Sequence, residues 1–423
     1  MSYVAPTLLC AALAFGLLGA SKGLDEGLIA TTVNLRSFIR AYGLESRTGS
    51  SSGQANRLSM IVSAASIVGP TYLAEVAPAR HRGLLVGIFS VSEYIGIVYF
   101  AGYGASLHQS DHNGQQWILP QATHIILAGL LLVASLGCVE SPRYLCKEKR
   151  PIQVAHALSR LRGASPNDPL IIDEVQLIEH HVATNQTDQL RASFLTPWKL
   201  LFCESGNRSR MAFLLSAQLL SQWSGTNAIT TYAPRFFALL GIAGSSEKLL
   251  TTGIFGIVKL AAALVSPLFF LDRLGRKRSL VSGITIQLLA LLYLSIYLTV
   301  LTTKDSTALS GDMHRASVVA IVCVYVTGIG YAFGWNSVQY LINAEMIPRP
   351  VRTLGTSILM CIHYANRFAL TKSVPSMMLD DALQPKGTFW FFSAVAFFGF
   401  LWAVFLLPET SNRQLEETSK MIT

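Results

Sequence analysis

The chain has 423 residues, 51% of them hydrophobic and only 13% charged, with a formal net charge of +9 and a mean hydropathy of +0.43. An average soluble domain is about one quarter charged, so this composition excludes an ordinary soluble protein and points to a membrane protein. The positive balance does not indicate nucleic acid, because the arginines and lysines sit in short connections beside apolar runs and not on an aromatic-interleaved face.

Long apolar windows recur at 4–31, 59–76, 84–107, 118–138, 211–233, 250–270, 280–302, 317–342, 354–378 and 388–407, each close to the ~20 residues that a spanning helix needs. Only helices or closed barrels satisfy the backbone in lipid. Repeated windows of this length therefore predict an all-α membrane protein, a polytopic helical bundle.

In chain order, the first window carries Gly16, Gly19, Gly23 and Gly27 at about one-turn intervals, which lets another helix approach closely. It has neither a basic n-region nor a small-residue cleavage site, so it reads as a span and not as a signal peptide. Asp25 and Glu26 near its far end are either interfacial or functional, since charges truly inside a span usually serve a function. A Ser- and Gly-rich connector at 42–54 follows, and the window at 84–107 holds Ser90, Ser92 and Glu93.

The segment 146–210 is the longest polar stretch. Its patterning predicts short amphipathic helices at 152–161 and 170–181 around a loop at 163–168, the expected form of a surface linker between two bundles. His180 and His181 are adjacent, so they point to different helix faces and make no metal-ligand pair. Beyond it, residues 218–232 form a polar seam in an apolar run. Gln218, Gln222 and Gly225 follow one another at i+4 and i+3 steps, with Asn227 and Thr231 on a neighbouring stripe. Lys259 lies midway along the next window, where a lysine is costly unless paired or wetted; it is read either as a carboxylate-binding residue or as the partner of a buried acid such as Glu93.

Basic residues cluster at Arg80 and Arg82, at 143–150, at Arg208 and Arg210, at 273–278, and at Arg349 and Arg352, whereas the alternate connections 104–117 and 379–387 are nearly free of them. The positive-inside rule places the basic sites and both chain ends in the cytoplasm. The six cysteines, Cys10, Cys138, Cys146, Cys203, Cys323 and Cys361, have no paired spacing, so neither a disulfide framework nor a zinc site is expected. The sequons at Asn185 and Asn207 fall on the cytoplasmic side and are expected to be unused. No Gly-rich phosphate loop of the G-x-x-x-x-G-K-[ST] type is present, so no cofactor, no metal and no enzymatic activity are expected, and transport would draw on gradients or be passive.

Several motifs carry a resemblance. Pro-Thr-Tyr-Leu-Ala-Glu-Val-Ala-Pro-Ala-Arg-His-Arg-Gly at 70–83, Val-Glu-Ser-Pro-Arg-Tyr-Leu at 139–145, Gln-Trp-Ser-Gly-Thr-Asn-Ala-Ile-Thr-Thr-Tyr at 222–232, Asp-Arg-Leu-Gly-Arg-Lys at 272–277, Glu-Met-Ile-Pro-Arg-Pro-Val-Arg at 345–352 and Pro-Glu-Thr at 408–410 come in order beside the expected spans. Together they resemble the sugar porters of the major facilitator superfamily, most closely the sugar and quinate porters of fungi.

The resemblance implies secondary transport of a sugar or related polyhydroxylated compound across the plasma membrane by alternating access, with a proton as co-substrate and the protein working as a monomer. It divides the chain into an N-terminal bundle (1–145), the cytoplasmic linker (146–210), a C-terminal six-helix bundle (211–410) and a cytoplasmic tail (411–423). It places the substrate contacts at Gln222, Asn227, Tyr232, Lys259, Tyr340, His363, Tyr364 and Ser90, and the proton carrier at Asp25. A cytoplasmic charge latch would comprise Glu75, Arg82, Glu140, Arg143, Asp272, Arg273, Arg276, Glu345 and Arg352.

The chain also departs from the pattern. Family members have twelve helices, and the first half lacks its own D-R-x-G-R loop, as though two helices were missing between Gln54 and Pro70. A missing pair leaves the orientation of the remaining helices unchanged. The arginine expected to face the acid of the first helix falls on Ala55, with Arg57 the nearest basic residue, about 200° around the helix. Quinate-type acid uptake, sugar sensing without transport, and an inactive truncated product stand as alternatives.

Overall fold

A computed structural model of the chain describes residues 20, 88, 91–99, 126–127, 129–130, 133, 136–148, 150–185, 196–242, 244–266, 274–303, 311–348, 351–379 and 381–409. All regular elements among these are helical. A segment at 91–99 belongs to the first half. The linker contributes α1 (Pro142–Lys147), α2 (Pro151–Arg162), α3 (Pro169–Asn185) and α4 (Thr196–Cys203). The second half contains α5 (Ser205–Trp223), α6 (Thr226–Thr231), α7 (Ala233–Leu239), α8 (Ser245–Val265), α9 (Arg276–Thr303), α10 (Gly311–Tyr331), a π-helical turn at Ala332–Asn336, α11 (Ser337–Met346), α12 (Arg352–Met377) and α13 (Gln384–Phe405).

The linker helices fold as the amphipathic pattern predicts, with Pro at the start of α2 and a left-handed Gly163 ending it. Leu145, Val154, Ala157, Leu158, Ile171 and Ile178 make a small core of their own. Arg162 forms a two-pronged pair with Glu174, at 3.2 and 2.7 Å, and so ties α2 to α3.

Three described stretches are long and apolar enough to cross a membrane by length and composition, Arg276–Thr302, Met313–Asn343 and Gln384–Phe405, with Leu250–Val265 a shorter apolar helix. The windows at 211–233 and 354–378 also form helices, but their polar residues lower the mean hydropathy. These residues turn inward: Gln218, Gln222 and His363 are all buried. The outward faces of the long helices carry the reverse pattern, with Leu289, Ile296, Val322, Phe397 and Phe398 exposed. Polar groups inside and apolar side chains outside are what a lipid solvent selects, and the chain is a multi-pass membrane protein.

The second half packs around α9, which lies against both α10 and α13. Where α9 crosses the end of α10, Gly283 and Gly330 meet backbone to backbone. A Cβ on Gly330 would stand 2.6 Å from the Gly283 carbonyl oxygen and 2.7 Å from the Gln287 nitrogen, so only small residues permit this approach. One apolar cluster, with Met211, Leu280, Trp335, Leu341 and Trp402, lies around the start of α9. A second, with Ile229, Phe236, Leu291, Phe389 and Phe392, lies towards its other end.

Candidate substrate site

The site lies where the apolar run of residues 211–233 breaks. α5 ends at Trp223, Gly225 takes a φ of +89°, and α6 begins at Thr226. A Cβ at residue 225 would run into the ring of Phe392, so the left-handed glycine is required twice over. The amide of Gln287 on α9 crosses to donate to the Ser224 carbonyl at 3.0 Å and the Thr226 hydroxyl at 2.8 Å. That supplies a partner to backbone exposed by the break, as an interrupted helix in lipid demands.

The polar seam on α5 points into the bundle and meets α11 and α12. His363 sits at its centre, 2% exposed. Its Nδ1 lies 2.9 Å from Gln218 Oε1, 3.1 Å from Gln339 Nε2 and 3.2 Å from Gln222 Nε2, and its Nε2 lies 3.1 Å from Gln222 Nε2. Gln339 also donates to Gln218 Oε1, and Gln218 donates to Asn343 Oδ1 at 3.2 Å. Asn227 extends the network, donating to Gln222 Oε1 at 2.7 Å and to the Tyr331 hydroxyl at 3.1 Å.

Beyond Tyr331 lies Lys259, 1% exposed. It donates to the Thr230 hydroxyl at 2.9 Å, and its cation stands 4.7 Å from the centroid of Tyr94, 5.5 Å from Phe255 and 5.8 Å from Tyr331. Rings at these distances offer cation–π stabilisation. Tyr94 and the buried Glu93 belong to segment 91–99, so the first half reaches Lys259 here. Gly328 makes room for the lysine stem, since a Cβ there would stand 2.8 Å from Lys259 Cγ.

Of the residues singled out from sequence, Gln222, Asn227 and His363 thus form one hydrogen-bonded group. Tyr364 meets His363 edge-on at 5.1 Å, and Tyr340 stands 6.5 Å from it, centroid to centroid. Tyr232 turns away from this group and donates to the Thr371 carbonyl at 2.8 Å. Ser90 and Asp25 lie outside the described residues.

At the other end of the half, Arg276 and Glu345, 2% and 1% exposed, pair at 3.2 Å. Arg352 Nε donates to the Ile347 carbonyl at 3.1 Å. Glu140 is exposed just before α1; Arg143 lies within α1 and only its backbone is described. Glu75, Arg82, Asp272 and Arg273 lie outside the described residues.

Sequence reasoning missed three participants, Gln339, Asn343 and Tyr331, and gave Glu409 of the 408–410 motif no role of its own. Gln339 and Asn343 are spaced i, i+4 in an apolar stretch, which was a usable signal. Glu409 accepts from the backbone N–H groups of Arg276 at 2.9 Å and Lys277 at 3.2 Å, capping the start of α9.

Residues 59–422 match the family model described as sugar (and other) transporter. The MFS-type transporter qa-x of Neurospora crassa is 29% identical over 364 residues, as is the quinate permease of Neurospora terricola. Each alignment covers 85% of this chain and 66% of the relative, so the chain spans just under two thirds of the length of the curated relatives it matches. Among solved structures, the proton:xylose symporter XylE bound to 6-bromo-6-deoxy-D-glucose superimposes with a TM-score of 0.71 at 20% identity, covering 99% of this chain and 90% of that one.

Proposed function

The chain belongs to the sugar (and other) transporter family and has the major facilitator fold, and from that membership we propose that it moves a sugar or related polyhydroxylated compound across the plasma membrane by proton-coupled alternating access. The observation that carries the reading is the continuous group of Gln222, Asn227, His363 and Tyr331 at the break between α5 and α6. Uncharged amides both donate and accept, which suits the reading of hydroxyls whose orientation is not fixed. The break itself is the feature that transporter helices use to bring backbone and polar side chains to a midplane site.

In this reading residues 211–410 form the C-terminal bundle, with Tyr340 and Tyr364 as aromatic neighbours of the substrate and Tyr232, Ser90 and Lys259 as further contacts. Both chain ends lie in the cytoplasm, and the protein acts as a monomer. The Arg276–Glu345 pair belongs to a cytoplasmic latch with Glu75, Arg82, Glu140, Arg143, Asp272, Arg273 and Arg352, which breaks and re-forms as the halves rock. The buried Lys259 favours a second substrate, a quinate-like hydroxylated acid, in keeping with the names of the relatives.

Uptake of labelled glucose and quinate by a transporter-deficient yeast expressing the chain, with and without a protonophore, tests the proposal. Accumulation that the protonophore abolishes is the expected result. Binding without accumulation would make the chain a sensor, and neither binding nor uptake would make it an inactive product.

A further inference from the structure

We propose that His363 is the proton-binding residue of the substrate site, and that it couples the proton to the substrate through Gln222. The inference rests on the transport reading above and adds to it where the coupled proton sits.

The arrangement around Nδ1 carries the argument. A ring nitrogen that holds a proton needs an acceptor, and one that lacks it needs a donor. Nδ1 has both kinds of neighbour at hydrogen-bond distance, the carbonyl oxygen of Gln218 at 2.9 Å and the amide nitrogens of Gln339 at 3.1 Å and Gln222 at 3.2 Å. A glutamine exchanges donor for acceptor by turning its terminal amide through about 180°. Three such amides on two other helices can therefore solvate a neutral or a cationic imidazole without moving any backbone. Apolar packing about the same ring would tolerate only the neutral form.

Coupling follows because one amide serves two partners. The Gln222 nitrogen faces both ring nitrogens of His363, at 3.2 and 3.1 Å, while its oxygen accepts from Asn227. A substrate hydroxyl that takes the Gln222 N–H removes a donor from the ring and leaves a nitrogen lone pair to be satisfied by a proton. Substrate and proton then favour each other's binding, and the coupling is reciprocal.

The titratable or charged groups on the neighbouring helices are Tyr340 on α11, Tyr364 and Arg367 on α12, Tyr331 on α10, Lys259 on α8, and Glu93 and Tyr94 on segment 91–99, with Glu345 further along α11 at the other end of the half. Glu345 is held by Arg276. The Lys259 cation opposes a second positive charge, but Tyr331 stands between it and the amide group.

The test uses the full chain in detergent, with D-glucose, D-xylose and quinate as probes between pH 5.5 and 8.0, a range spanning the usual histidine titration. Affinity for whichever probe binds should fall as pH rises, approaching tenfold per unit above the midpoint, which is the limit for one linked proton. Adding that probe to lightly buffered protein should take up protons, read with an indicator dye. His363→Gln should abolish both the slope and the proton uptake.

Wild-type protein that binds a probe with a flat pH profile and no proton uptake overturns the inference and leaves the transport reading standing. The same holds if Asp25→Asn, and not His363→Gln, removes the slope. Wild-type protein that binds none of the probes sinks both. If His363→Gln fails to fold, His363→Asn takes its place, and a slope that survives in either folded variant overturns the inference.

Discussion

Arg276 and Glu345 are among the least exposed side chains of the protein, and their 3.2 Å pair sits at the head of α9. Removing one partner of such a pair strands a buried charge, at a cost of about 3–5 kcal/mol. Arg276→Ala is therefore expected to lower the melting temperature sharply in detergent and to abolish uptake. The double variant Arg276→Met with Glu345→Leu should recover most of the stability, because it removes both charges together, and should still not transport. An equal loss in the single and double variants would show that packing, not charge, holds this corner. At the site, Gln222→Ala should weaken sugar binding on the order of tenfold to a hundredfold, the scale of one or two hydrogen bonds of about 1–1.5 kcal/mol each, measured as competition against a labelled probe. Gln222, Asn227 and His363 were legible from sequence because they interrupt apolar runs with amides and an imidazole at positions where a known motif lends them roles. Gln339 was not picked out, although its i, i+4 spacing with Asn343 in an apolar stretch was there to be read, because the resemblance drew attention to the aromatic residue beside it. Position-by-position transfer named Tyr340, which stands near His363, while Gln339 next to it makes the hydrogen bonds.

Among the elements, the crossing of α9 and α10 and the linker helices give the sharpest expectations. Gly330→Ala would drive a methyl group into the backbone of α9, and neither wall can yield as a side chain would. The expected loss is at least the ~1–3 kcal/mol of core overpacking. Gly253→Ala has nothing within 4 Å of the new Cβ and should be neutral or stabilising by up to about 1 kcal/mol, as for alanine in a helix interior. Thermal unfolding of the two variants side by side checks the contrast. In the linker, burial and then the nearby Glu179 raise the Cys146 thiol above its ordinary value. A raised value leaves less thiolate at a given pH, so at pH 8 iodoacetamide should modify Cys146 more slowly than the exposed Cys203. Peptide mass spectrometry reads both sites in one digest. The linker helices themselves were plain in the sequence, since proline, glycine and the 3.6-residue period agree there. The break at Ser224 and Gly225 was not, because the polar residues around it also fit stripes on one continuous helix.

For the molecule as a whole, the two apolar clusters of the second half draw nearly all their residues from positions beyond 196, with Leu161 of the linker the buried exception. A fragment starting at residue 196 should therefore insert into membranes and elute as a single symmetric species in detergent. Aggregation of that fragment would show that the first half supplies more than the contacts around Tyr94, Ile97 and Lys259.

The cap on α9 also bears on how the protein is made. Glu409 lies 133 positions after Arg276, whose backbone N–H it receives. At ~5–20 residues per second of synthesis, the start of α9 waits roughly 7 to 27 seconds for this carboxylate. Until then the helix at the centre of the second half has an unsatisfied beginning, so the nascent chain carries a built-in delay. A chain that stops short of residue 409 lacks this carboxylate, and its central helix stays open at one end.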